Sequence, residues 1–139
     1  KALEVGVFMV KPNLAELSQL VGREEWQLHE VEDAALQLVH QGRAEVVVVS
    51  LGPAGALLVS SSITKRIHAP TVKKKSTIGA GDSMVAGMAW MLSQDKSLKE
   101  VVMFGVACGT AATMNAGTAL FEANDAHRLY EWIRNHHPF

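Results

Sequence analysis

The chain has 139 residues, 48% hydrophobic and 19% charged, with a formal net charge of −1. That is one domain's worth of core-forming material, and the near-neutral balance excludes a partner held by bulk electrostatics, so neither nucleic acid nor an anionic membrane surface is expected. A single cysteine, Cys108, excludes an internal disulfide and a cysteine-rich metal site.

The chain opens with Lys1-Ala2-Leu3-Glu4 and passes into the apolar run Val7-Phe8-Met9-Val10. A nearly all-apolar strand belongs inside a parallel sheet with both faces covered. The expectation is a piece of a longer chain whose earlier strands complete that sheet. Lys11-Pro12-Asn13 breaks the strand, and Asn13 caps a helix running to about Val21, stopped by Gly22. Glu30 to Gln41 carries Val31, Ala34, Ala35, Leu38 and Val39 at helical spacing, closed by Gly42. Glu45 to Ser50 is the clearest strand. The turn Gly52-Pro53-Ala54-Gly55 leads to strands at Ala56–Val59 and Ile63–Ile67. Beyond Ala69-Pro70 an extended segment reaches Gly79-Ala80-Gly81-Asp82, followed by helices to about Ser93, from Leu98 to Asn115 and from Asp125 to His136. This order describes an α/β layer structure, in which ligands collect at the carboxyl ends of strands. No leader-like segment and no apolar run of bilayer length is present, so a cytoplasmic location is expected.

Thr77-Ile78-Gly79-Ala80-Gly81-Asp82-Ser83 carries the most chemistry. Glycines let backbone amides approach a ligand with no Cβ in the way, and amides opening a helix bring the positive end of its dipole. Gly79, Ala80 and Gly81 thus form a cradle for a transferring phosphoryl group, with Asp82 beside it to take a proton from an attacking hydroxyl. Alone, Gly-x-Gly-Asp also reads as an ordinary glycine-rich loop. Lys11-Pro12-Asn13-x-x-Glu16 reads as a capping box, with Asn13 as N-cap and Glu16 three residues on. The same two polar side chains suit a hydrated Mg²⁺, which keeps most of its waters. Phe104 to Thr118 has small residues every few positions, a pattern for close helix packing, and Cys108 within it reads as a buried small hydrophobe. The six histidines show no metal spacing; His136-His137 end a solvated helix. Trp26, Trp90 and Trp132 read as core or surface anchors, and Lys73 to Lys75 as a solvated charged edge.

The string from Ser76 through Asp82 to Gly87 resembles, position by position, the C-terminal signature of the ribokinase-like (PfkB) sugar kinases. The resemblance covers essentially the whole chain, as the C-terminal nucleotide-binding part of one kinase domain. It implies a three-layer α/β/α Rossmann-like sheet, with the sugar-phosphate pocket and lid strands in the other half and the piece alone inactive. It implies ATP and Mg²⁺ as cofactors and Asp82 as general base, with the Gly79–Asp82 amides as anion hole. Nucleotide contacts carried over are Lys11, Asn13, Ser50, Gly52, Gly55, Lys74, Thr77, Val106 and Thr110; Asn13 and Glu16 serve Mg²⁺ through water. A monovalent cation, K⁺, is implied near Ser76, Ile78, Ala112, Asn115 and Gly117, although Ala119 stands where arginine is expected of close relatives. Pro70–Ser83 and Phe104–Thr118 look most like the minor type of 6-phosphofructokinase. That implies phosphorylation of fructose 6-phosphate to fructose 1,6-bisphosphate, a glycolytic step, by a homodimer. A 1-phosphofructokinase, a tagatose-6-phosphate kinase and a non-catalytic nucleotide-binding piece are the alternatives.

Overall fold

A computed structural model describes residues 7–22, 27–115 and 122–137. Trp26, Gly117 and Ala119 lie outside the described residues, as does the opening Lys1-Ala2-Leu3-Glu4. The chain divides into two compact units: Lys1–Gly52 with Ala56–Arg66, and Pro53–Gly55 with Ile67–Phe139.

The first unit holds a four-stranded sheet in the order β1-β2-β3-β4, formed by Val7–Val10, Ala44–Ser50, Ala56–Ser60 and Thr64–Ile67. The first two strands run parallel, with Met9 opposite Val46 and Val10 opposite Val47. They are joined by α1 (Leu14–Val21) and α2 (Leu28–His40), the crossover that a parallel pair requires. The short turn after β2 returns the chain antiparallel as β3, with Val48 opposite Leu58. Leu17, Val31, Ala35 and Leu38 of the two helices pack with Val47, Val49, Leu57 and Val59 of the sheet. Val46 to Val49 are all buried, as a β-branched run of this kind requires. In β1, by contrast, Phe8 is 49% exposed. Among the described residues β1 has one neighbouring strand, β2.

The second helix begins two residues before its sequence-predicted start. Gln27 donates its backbone N–H to Glu30 Oε1 at 3.0 Å. Glutamine is not among the usual N-caps, so the spacing of apolar residues alone misses this first turn.

The second unit contains α3 (Ala80–Ser93), α4 (Leu98–Thr113) and α5 (Ala123–His136). Ser97 caps α4, its hydroxyl accepting from the Glu100 N–H at 3.2 Å. Every residue from Val101 to Cys108 is buried. Close packing, the plain reading of the small residues in α4, is what the structure shows. A Cβ at Gly87 of α3 would lie 2.6 Å from Cys108 Sγ, and one at Gly109 would lie 3.1 Å from the Ala80 carbonyl oxygen. The fifth helix starts at Ala123, ahead of the predicted Asp125, and its end corrects another expectation. His137 is buried, not solvated, and its Nε2 accepts the His68 backbone N–H at 3.0 Å with the two rings stacked. Trp90 and Trp132 are surface residues.

Candidate functional site

Two clusters of polar residues form where strands and turns end, one in each unit. In the first unit the chain stays paired to β2 beyond the end of β1. The Ser50 N–H donates to the Pro12 carbonyl at 3.0 Å, and Asn13 bridges to Ser50 in parallel register. That pairing brings Lys11 Nζ to 3.4 Å from Ser50 Oγ, across 39 positions of sequence. Asn13 then opens α1: its Oδ1 accepts from the Glu16 N–H at 2.8 Å, while its own N–H donates to Glu16 Oε1 at 3.0 Å. The capping box read from the sequence is therefore present on both sides. It engages one carboxylate oxygen of Glu16; the other makes no hydrogen bond among the described residues. Lys11 and Glu16 also line a depression of about 360 Å³ with Val10, Pro12, Gln19 and Leu20. One carboxylate and one amide, both exposed, make a donor set suited to a metal that keeps its waters. Further along, the turn after β2 is a single 3₁₀ turn, Gly52–Ala54, with Gly52 exposed and Gly55 buried.

In the second unit Gly79 sits at φ 82°, a left-handed conformation that a side chain would oppose, and so swings the chain into α3. Ala80 N–H bonds back to the Thr77 carbonyl at 3.4 Å and Ser83 N–H to the Gly79 carbonyl at 2.9 Å. The amides of Gly81 and Asp82, between them, have no partner among the described residues. These are the donors that a helix N-terminus leaves open to an anion. The Asp82 carboxylate is exposed in the same turn. Thr77 and Lys74 are exposed just upstream.

The segment leading into this turn is held from α4. The Thr113 carbonyl accepts from the N–H groups of Lys75, at 2.7 Å, and Ser76, at 3.2 Å. Ser76 Oγ in turn accepts the Ile78 N–H at 3.1 Å. Ser76 is thereby brought to the end of α4, where Asn115 N–H bonds the Ala112 carbonyl at 3.2 Å. Thr113 was not singled out in the sequence, because an acceptor carbonyl leaves no residue-type signature. Of the two expected adenine contacts, Thr110 is half-buried and Val106 is only 4% exposed. Burial pushes the Cys108 thiol up to about 12, which makes it inert as a nucleophile. Among the described residues no three His, Cys, Asp or Glu side chains cluster as metal ligands, and no helix is long and apolar enough to cross a membrane.

The model of the pfkB family of carbohydrate kinases matches residues 1–124. This chain belongs to that family. Over 133 residues it is 49% identical to the ATP-dependent 6-phosphofructokinase isozyme 2 of Escherichia coli, covering 95% of this chain and 43% of that one. It is 31% identical over 135 residues to the 1-phosphofructokinase of Borreliella burgdorferi, covering 96% of this chain and 43% of the relative. The crystal structure of E. coli phosphofructokinase-2 in complex with potassium superposes with a TM-score of 0.91 at 48% identity, over 94% of this chain and 43% of the other. The α/β architecture is accordingly that of the ribokinase-like kinases. The chain spans less than half the length of these relatives.

Proposed function

We propose that a full-length kinase carrying this sequence transfers the γ-phosphoryl group of ATP to fructose 6-phosphate, giving fructose 1,6-bisphosphate and ADP. The observation that carries the reading is the turn at Gly79, which leaves the Gly81 and Asp82 amides unpartnered beside the exposed Asp82 carboxylate. Identities of 41–49% to 6-phosphofructokinases, against 30–36% to 1-phosphofructokinases, support the choice of acceptor.

Asp82 accepts the proton of the C1 hydroxyl of the sugar phosphate as that oxygen forms its bond to the γ-phosphorus. The bond from the γ-phosphorus to the bridging oxygen breaks, and its electron pair leaves with ADP. The Gly81 and Asp82 amides donate to the phosphoryl oxygens, where charge is spread in the transition state. Lys11 and Ser50 hold the nucleotide phosphates at the carboxyl ends of β1 and β2, and Gly52, Lys74 and Thr77 contribute further contacts. Thr110 and Val106 flank the base. Asn13 and Glu16 would hold Mg²⁺ through water, and the ion would supply positive charge to offset that of the nucleotide phosphates. The carbonyls of Ser76, Ile78 and Ala112, with Asn115, suit K⁺.

A coupled assay of ADP release with fructose 6-phosphate, fructose 1-phosphate and tagatose 6-phosphate tests the reading. Turnover fastest on fructose 6-phosphate supports it. Preference for fructose 1-phosphate would move the protein to the 1-phosphofructokinases, and no turnover on any acceptor would leave a nucleotide-binding protein.

A further inference from the structure

Gly55 combines two features that a nucleotide contact does not need. Its φ is 100°, and it is buried. A Cβ at this position would collide with the Ile67 carbonyl oxygen, and would also lie 2.9 Å from the Ala69 nitrogen and 3.0 Å from the Ile67 carbonyl carbon. All three are backbone atoms, so no side chain can swing aside to admit it. The wall that Gly55 meets is the chain leaving β4, on its way to Pro70 and the extended segment before Gly79. Gly52, at the other end of the same turn, is exposed, and a Cβ there would meet nothing within 4 Å.

We infer that Gly55 is a positioning residue: it lets the end of the turn, Pro53 and Ala54, seat against the Ile67–Ala69 backbone, and so fixes the shape in which the turn meets the nucleotide. This is an alternative to the direct contact expected from the sequence and rests on the proposed ATP-dependent function. The physical reason is rigidity. A one-turn 3₁₀ segment has few hydrogen bonds of its own, and backbone packed on backbone at this distance removes the freedom that a ligand would otherwise have to quench on binding.

The test uses Gly55→Ala, Pro53→Gly and Gly42→Ala in a full-length kinase carrying this sequence. Direct ATP titration, KM for each substrate and backbone hydrogen exchange without nucleotide are measured. Gly42 has φ 72° with nothing within 4 Å of a Cβ, so its alanine variant carries the backbone strain without the collision. Gly55→Ala is expected to weaken ATP binding at least tenfold, to leave KM for the sugar phosphate within twofold, and to speed exchange at residues 52–56 and 67–69 before any nucleotide is added. Gly42→Ala is expected to lower the melting temperature and leave ATP affinity alone. Weaker ATP binding with unchanged exchange would make Gly55 a direct contact, and faster exchange with unchanged ATP binding would make it structural only; either overturns the inference. Should Gly55→Ala not fold, Pro53→Gly decides, because it loosens the turn without a collision: ATP binding weakened severalfold supports the inference, and unchanged affinity sinks it. Because ATP titration needs no phosphoryl transfer, failure of the proposed reaction and failure of this inference are told apart.

Discussion

Thr113 and Lys75 are joined by a backbone hydrogen bond of 2.7 Å, which ties the last turn of α4 to the segment leading into Gly79. The Asp82 turn is therefore held at both ends: by that carbonyl upstream, and by α3, whose first turn contains Asp82. A base whose position is fixed by backbone has its geometry set before substrate arrives, which is what proton transfer in the transition state rewards.

Asp82→Asn keeps the shape of the side chain and removes its basicity. In a full-length kinase carrying the sequence, kcat is expected to fall by about 10² or more with ATP affinity unchanged. Steady-state kinetics with a nucleotide titration check this, and near-normal turnover would remove Asp82 from the mechanism.

Glu16 has one oxygen in the capping box and one outside it, so its two roles separate by substitution. Glutamine can still accept the Asn13 N–H, so Glu16→Gln is expected to leave stability nearly unchanged while raising the Mg²⁺ concentration for half-maximal rate. Glu16→Ala is expected to raise it as well and to lose about 1 kcal/mol of stability. Mg²⁺ dependence that stays fixed in both variants would reduce Glu16 to a cap.

Gly105 marks the tightest part of the α3–α4 packing. A Cβ there would run into Met88 and lie 3.2 Å from the Met84 carbonyl oxygen. Met88 can re-pack, but the carbonyl belongs to the helix whose first turn carries Asp82. Gly105→Ala is expected to cost about 1–3 kcal/mol by overpacking. A denaturant melt checks the loss; no change would mean that the two helices separate freely.

Cys108 supplies a pH dependence. Burial raises its pKa from 9.0 to about 12 in the folded chain, so between these values the unfolded state loses the proton and the folded state keeps it. Its contribution to stability is complete below pH 9 and is lost as pH climbs towards 12. Cys108→Ala is expected to flatten the stability profile in that window, as read from melts in a pH series. The wild-type thiol should resist alkylation at pH 8 until the chain is unfolded.

What the sequence determined by itself is local. Asn13 and Glu16 lie three residues apart, so one turn of helix suffices to join them, and their reciprocal bonds were readable in advance. Gly79-Ala80-Gly81-Asp82 likewise announces a turn needing positive φ followed by open amides, and the helix from Ala80 to Ser93 follows it. The four strands and the α/β class were legible because β-branched runs and helical spacing differ in period. Only the tertiary structure decided the contacts between distant residues. Lys11 meets Ser50 because β1 pairs with β2 in one register, and Gly55 is buried because the chain returns through Ile67 and Ala69. His137 leaves solvent because its ring finds the His68 N–H. None of these can be read from neighbours along the chain, since each joins residues distant in sequence and only packing selects which of them meet.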